Sequence, residues 1–356
     1  MRSFAEIPTE VAHRVAADER IVLILLDALG LELLERERDH PLMTRLAIEP
    51  IQSQFPSTTA AHVTTMHLGL PVQEHGIYEW RVLEPTLGEV IVPLRFRRDA
   101  SDRDAELEGR LDPRALINTP TLYQSLRARS LAAEPFGVSG TPYDRVATVG
   151  AATCGFRDLH EGLGMVIRAL RADAELRYAY LYWPEIDRVG HHHGPGSPEF
   201  RATARQALDA VLDQVDGLLD TGATVLLTAD HGQVDVRPDR VDYLDELWPE
   251  LSTHLTQRAA GSARDVFLHV ASDRIDHVID NLQDRLGDRA SVCRATALFD
   301  AIGPRLAKRL GDVAVLPAGG RQAWLRATPS VETWNLGSHG GLASAERATY
   351  LAQVQV

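Results

Sequence analysis

Two cysteines, Cys154 and Cys293, are all that the 356 residues contain, and they lie far apart with no metal-type spacing. A disulfide framework is therefore not expected, and a reducing compartment fits. Positive charge is also scarce: 37 Lys and Arg stand against 50 Asp and Glu, a formal net charge of -13, which argues against a general nucleic-acid-binding surface. The longest apolar runs fall far short of a membrane span, and Met1 to Arg20 is mixed and charged, without the apolar core of a signal peptide. Internal repeats and low-complexity segments are missing too. These absences lead to the expectation of a cytoplasmic protein with neither a membrane nor a stable nucleic-acid partner.

The length exceeds that of a typical single core, so one large α/β domain with an insertion, or two domains, is expected. Ile21 to Leu26 is a continuous β-favouring run, too short for a buried helix and without polar alternation; it reads as a strand covered on both faces and ends at Asp27. Tyr178 to Trp183 is a second such run, leading to Asp187, and Thr224 to Thr228 a third, leading to Asp230-His231-Gly232. Helix-like stretches, Leu29 to Arg38, Thr121 to Arg129 and Ser197 to Leu219, lie between them. The alternation predicts a doubly wound, mostly parallel sheet flanked by helices, with ligands bound outside the carboxyl ends of the strands. Residues 1–240 and 331–356 are read as this core. Residues 241–330, where the pattern becomes charged and interrupted, are read as an inserted α+β cap, and Glu79 to Asn118 as turn-rich excursions beside the rim.

Asp187 and His191 stand four residues apart just after the second apolar run, which is a metal site in outline. In the segment from Phe55 to Pro71, Pro56 and Ser57 signal the start of a helix, and Gly69 and Pro71 its end. The hydroxyls of Ser57, Thr58 and Thr59 thus fall in the positive field of a helix N-terminus, where anions such as phosphate bind. A threonine hydroxyl is a poor nucleophile unless a base or metal lowers its pKa. The rim of Asp27, Asp187 and Asp230 could hold such a metal.

These features, with His75-Gly76-Ile77, Gly190-His191, Gly194-Pro195 and the late Ser338-His339-Gly340, occur in an order that resembles the alkaline phosphatase superfamily, in its type I phosphodiesterase/nucleotide pyrophosphatase branch. The resemblance spans nearly the whole chain. It implies an alkaline-phosphatase-like fold with two divalent metal ions, zinc first and manganese second. One ion would be held by Asp187, His191 and His339, the other by Asp27, Asp230 and His231. Thr59 matches the family nucleophile, would also bind the second metal, and would form a phosphothreonine intermediate. The implied substrate is a small-molecule phosphate diester, pyrophosphate or nucleotide. Two metals about 4 Å apart suit this chemistry, because they stabilise both the attacking and the leaving oxygen of an in-line displacement.

Where the branch usually has a phosphate-contacting Asn, this chain reads Tyr78-Glu79-Trp80, which leaves Arg264 and Asn118 as loose replacements. His192 and His193 are read as solvated or supporting, His62 and His67 as packing or surface residues, with His62 also able to face the phosphate, and His75 as bracing its loop. Tyr78 and Trp80 could stack on a base or aryl group or belong to the core. A phosphomonoesterase or phosphonate hydrolase of the same superfamily is the alternative enzyme. A catalytically silent phospholigand-binding protein is the alternative of another class. A sulfatase is excluded because the Cys/Ser-x-Pro-x-Arg motif is absent.

Overall fold

A computed structural model describes residues 2–101, 103–328 and 331–355. Its centre is a seven-stranded sheet. From one edge to the other the strands are Leu46–Gln52, Ala348–Val354, Thr224–Thr228, Ile21–Leu26, Leu176–Trp183, Arg129–Pro135 and Ala152–Phe156. The five strands from Thr224–Thr228 to the Ala152–Phe156 edge are parallel to one another, and Ala348–Val354 enters antiparallel to both its neighbours. The fold is the expected doubly wound α/β arrangement.

Every residue of Ile21–Leu26 is buried. Val22, Ile24 and Leu26 face one apolar cluster with helices Leu159–Ala172 and Pro198–Leu219, whereas Ile21, Leu23 and Leu25 face another with helices Ile7–Ala16 and Thr59–Leu68. An unbroken apolar run is what a strand sandwiched in this way requires, and each such side chain contributes roughly 1.5–3 kcal/mol relative to exposure.

Several elements differ from the sequence reading. The helix expected from Leu29 to Arg38 is confined to Leu31–Arg36, and the one expected from Thr121 to Arg129 stops at Leu126. Arg127 adopts a left-handed conformation there, and the chain turns into the core strand Arg129–Pro135. Helix Pro198–Leu219 follows expectation, with the Ser197 side chain accepting from the Phe200 amide as its cap. The hydroxyl-rich helix starts at Thr59, with Thr58 in the cap position.

Beyond the core, Ala260–Ser262, Asp265–Leu268, Val313–Pro317 and Ala290–Arg294 form a four-stranded antiparallel sheet, covered by helix Ile275–Leu286 around its own apolar cluster. The boundary expected at 330 falls where residues 329 and 330 lie outside the described residues. Val82–Glu84, Glu89–Val92 and Arg97–Arg98 form a small meander beside the sheet rim. Among the described residues no helix is long and apolar enough to cross a membrane.

Candidate metal centre

Register alone brings three acids together. Leu26 pairs with Trp183 and Leu25 with Thr228, so Asp27, the turn after Trp183 and the turn after Thr228 leave the sheet side by side. The chain after Trp183 enters helix Glu185–His193, which stacks Asp187 and His191 one turn apart on one face. His339 arrives from Gly337–Ser338, a short strand paired with Val234–Asp235. The turns after Asp27 and Asp230 pass so closely that a Cβ on Gly30 would lie 2.7 Å from Gly232 Cα. Only glycine permits that approach.

Two compact donor groups result: Asp27, Asp230 and His231, and Asp187, His231 and His339, each with ligand atoms within 4.8 Å of one another. His231 belongs to both. His191 flanks the second group, its Nε2 3.2 Å from Asp187 Oδ2, while His339 Nε2 is 3.4 Å from Asp187 Oδ1. His231 Nε2 lies 3.4 Å from Asp27 Oδ1 and 3.3 Å from Asp230 Oδ2. The rings of His231 and His339 stack at 3.7 Å. Thr59 Oγ1 sits over the first group, 3.3 Å from Asp27 Oδ2 and 3.2 Å from His231 Nε2.

The imidazoles share one orientation. Nδ1 of His191 contacts Gly337 O at 2.8 Å, Nδ1 of His231 contacts Gly232 O at 3.1 Å, and Nδ1 of His339 contacts Ser57 O at 2.9 Å. A carbonyl oxygen only accepts, so Nδ1 of His231 and of His339 carries the hydrogen and their Nε2 atoms turn a lone pair toward the carboxylates, whereas His191 Nδ1 also meets Asn335 Nδ2 at 3.0 Å. Lone pairs facing carboxylate oxygens at 3.3–3.4 Å repel unless a proton or a metal cation lies between them. Asp230 Oδ2 is buried without a hydrogen-bond partner. Burial, then the charges of Asp230 and Asp187, push Asp27 well above the carboxylate range, and burial first pushes Asp230 up to about 7. Asp187 is held below the range: burial opposes this, but the neighbouring His191 and His339 outweigh it. Burial, the largest cause, lowers His231 and His339, although the Asp187 carboxylate pulls both the other way. Buried acids beside imidazole nitrogens fit divalent cations.

The sequence reading did not identify several supporting residues. Gln233 Nε2 donates to Asp187 Oδ1 at 2.6 Å and to the Asp187 carbonyl. The Tyr182 hydroxyl donates to Asp27 Oδ2, and Asn335 contacts His191. Ser57, besides its carbonyl contact, donates from Oγ to Gly341 O. Arg264 and Asn118 are engaged elsewhere and do not line the cavity over Thr59: Arg264 clasps Glu346 with two nitrogens, and Asn118 accepts from Arg305. Tyr78 packs edge-on against Phe267 in the core. His62 is tied to Ser53, Gln54 and Thr58, His67 to Tyr123, and His75 to Thr65 and Ile77.

A cavity of about 500 Å³ opens over Thr59. Trp80, Leu94 and Arg97 from the excursion form one side of it, and Glu134, Tyr143 and Asp144 another, whereas the four-stranded unit contributes Ser262.

The type I phosphodiesterase/nucleotide pyrophosphatase family matches residues 21–342. No curated protein matches the sequence. Among solved structures, human ectonucleotide pyrophosphatase/phosphodiesterase 5 is similar with a TM-score of 0.72 at 16% identity, over 94% of this chain and 87% of that one. An inactive variant of the murine protein in complex with AMP gives 0.71 at 17% identity, over 94% and 87%. At such identity the structural likeness speaks for the fold, and the family match speaks for kinship. The chain belongs to the type I phosphodiesterase/nucleotide pyrophosphatase family and is a hydrolase of that type.

Proposed function

We propose that the protein hydrolyses phosphate diesters or pyrophosphates, nucleotides among them, through a covalent phosphothreonine on Thr59. The observation that carries this reading is the convergence of three imidazole Nε2 atoms and three carboxylates beside one buried hydroxyl. Asp187, His191 and His339 would hold one divalent ion, and Asp27, Asp230 and His231 a second, with zinc favoured by the mixed nitrogen and oxygen donors. Such ions supply neutralisation of phosphoryl charge and a lowered pKa for the nucleophile. Asp27 and His231 hold the Thr59 hydroxyl from two sides. Because Thr59 is the first residue of its helix, the free amides of that turn face incoming phosphoryl oxygens. Gln233 fixes the Asp187 carboxylate, and the Trp80 side of the cavity shapes the leaving-group space. Residues 241–330 act as a cap that borders this space through Ser262. The murine relative, captured with AMP in an inactive threonine-to-alanine variant, supports both the nucleotide class and a threonine hydroxyl.

Thr59→Ala is expected to lower turnover of bis-p-nitrophenyl phosphate at least about 10³-fold while metal content by mass spectrometry stays at the wild-type level. Full activity in that variant would remove Thr59 as nucleophile. A strong preference for p-nitrophenyl phosphate over every diester and pyrophosphate, under zinc and manganese, would instead make the protein a monoesterase.

A further inference from the structure

The cavity over Thr59 has one wall that phosphoryl chemistry does not use. Strand Arg129–Pro135 lies next to Leu176–Trp183, parallel to it, and near its carboxyl end it too carries an acid, Glu134. Glu134 is 2% exposed and borders the cavity. Asp144, also 2% exposed, reaches the same wall from helix Pro142–Ala147. Glu134 Oε1 and Asp144 Oδ1 are both buried and accept from no amide, hydroxyl or ring N–H; the two carboxyls face each other, where at most a shared proton could join them. Their surroundings are otherwise settled. Asp144 Oδ2 accepts from the Gly140 amide, and the Tyr143 hydroxyl is engaged with Thr64. His67 Nε2 lies 3.3 Å from Glu134 Oε1 without hydrogen-bond geometry, and burial holds that ring neutral. A buried acceptor left without a donor is costly, because it has given up water and gained nothing in return. Two of them on the wall of a substrate cavity, beyond the carboxyl ends of parallel strands, mark a place where a ligand supplies what the protein does not.

We propose that Glu134 and Asp144 form a specificity subsite for a nitrogen group of the substrate that presents two or more N–H donors beside the phosphoryl group. The inference rests on the phosphodiesterase reading for where the phosphate sits. Both free atoms are acceptors, so the complementary group donates; an anion would be repelled. A quaternary ammonium has no N–H to give, and the wall offers carboxyls rather than an aromatic cage. Among the described residues the compact metal-donor groups are the two at Asp27 and Asp187, and this pair is not one of them. The donor class has two sources: the amino edge of a nucleobase such as guanine, or a primary alkylammonium. Burial pushes Glu134 up to about 6 and Asp144 up to about 7, with Glu134 the second cause for Asp144, so a donor held between them relieves the pair. The rival account is a single proton shared by the two carboxyls.

Calorimetry on the zinc-loaded protein separates these accounts with two matched pairs: guanosine against inosine 5′-monophosphate, and 2-aminoethyl against ethyl phosphate. The amino-bearing member of one pair is expected to bind about tenfold or more tightly, and the pair that shows it names the source. In Glu134→Gln and in Asp144→Asn, both close in size to the original, that ratio is expected to fall at least about fivefold. Equal binding within both pairs, as a shared proton requires, overturns the subsite, as does a preference that survives both substitutions. Turnover of bis-p-nitrophenyl phosphate, measured separately, tells failure of the subsite from failure of the phosphodiesterase reading.

Discussion

At the scale of single residues, the centre is set by what holds its donors rather than by the donors alone. Asp27, Asp187, His191, Asp230, His231 and His339 could be picked out of the sequence because each follows a strand or sits in a Gly-flanked turn. Gln233 and Ser57 could not: their contacts join residues 46 and 282 positions apart, and only the folded register creates them. Replacing Gln233 with Leu removes the amide that fixes Asp187, and we expect metal affinity by chelator competition to fall about 10- to 100-fold. Unchanged affinity would show that the carboxylate is oriented without it. Arg264 is the opposite case, a residue suspected of substrate contact that is sealed inside. Its guanidinium meets Glu346, whose oxygens also accept from the Gly341 and Ala343 amides just beyond His339. Arg264→Met strands a buried carboxylate, so a loss of about 3–5 kcal/mol in denaturant unfolding is expected, with Arg264→Lys recovering part of it. A melt unaffected by Arg264→Met would contradict this.

At the scale of elements, legibility followed burial. Ile21–Leu26 announced itself because a strand covered on both faces must be apolar throughout. Arg129–Pro135 did not: with two alanines, a charged start and a buried Glu134, its composition lacks a β signature, and pairing on both edges supplies the stability that propensity does not. Ala152–Phe156 is partly exposed and contains Gly155, so it was equally quiet. Helix Thr59–Leu68 is buried along all ten residues in spite of its hydroxyls and histidines. Burial lowers His67 to about 4 and, on the following short helix, His75 to about 3. Unfolding returns each to about 6.5, so the unfolded chain binds more protons below that pH. The stability these neutral rings preserve is therefore complete above pH 6.5 and declines as pH falls toward 4 and 3. In His75→Asn, the slope of unfolding free energy between pH 6 and 4 is expected to be shallower by about 1.4 kcal/mol per pH unit. Parallel slopes in the two proteins would mean that His75 titrates normally.

At the scale of the whole molecule, the sheet order and the rim of acids were accessible from strand and helix alternation, whereas the cavity was not. Its walls come from the Trp80 to Arg97 excursion and the Glu134 to Asp144 stretch, whose meeting depends on how surface loops fold back over the sheet. In a chain of net charge -13, three acids gathered in one buried cluster also add to self-repulsion. Removing divalent ions with a chelator should therefore lower the melting temperature by several degrees and make it depend on added zinc concentration. A melt indifferent to chelator and zinc would argue against a structural share for the ions.

The strand Ala348–Val354 lies between Thr224–Thr228 and Leu46–Gln52. On the ribosome both neighbours emerge long before it, so the growing chain carries two raw strand edges that nothing yet joins, and the turn bearing His339 is itself made late. Hydrolytic competence thus waits until His339 and this strand have been made, and a chain stalled before them would be a client for chaperones rather than a half-working enzyme.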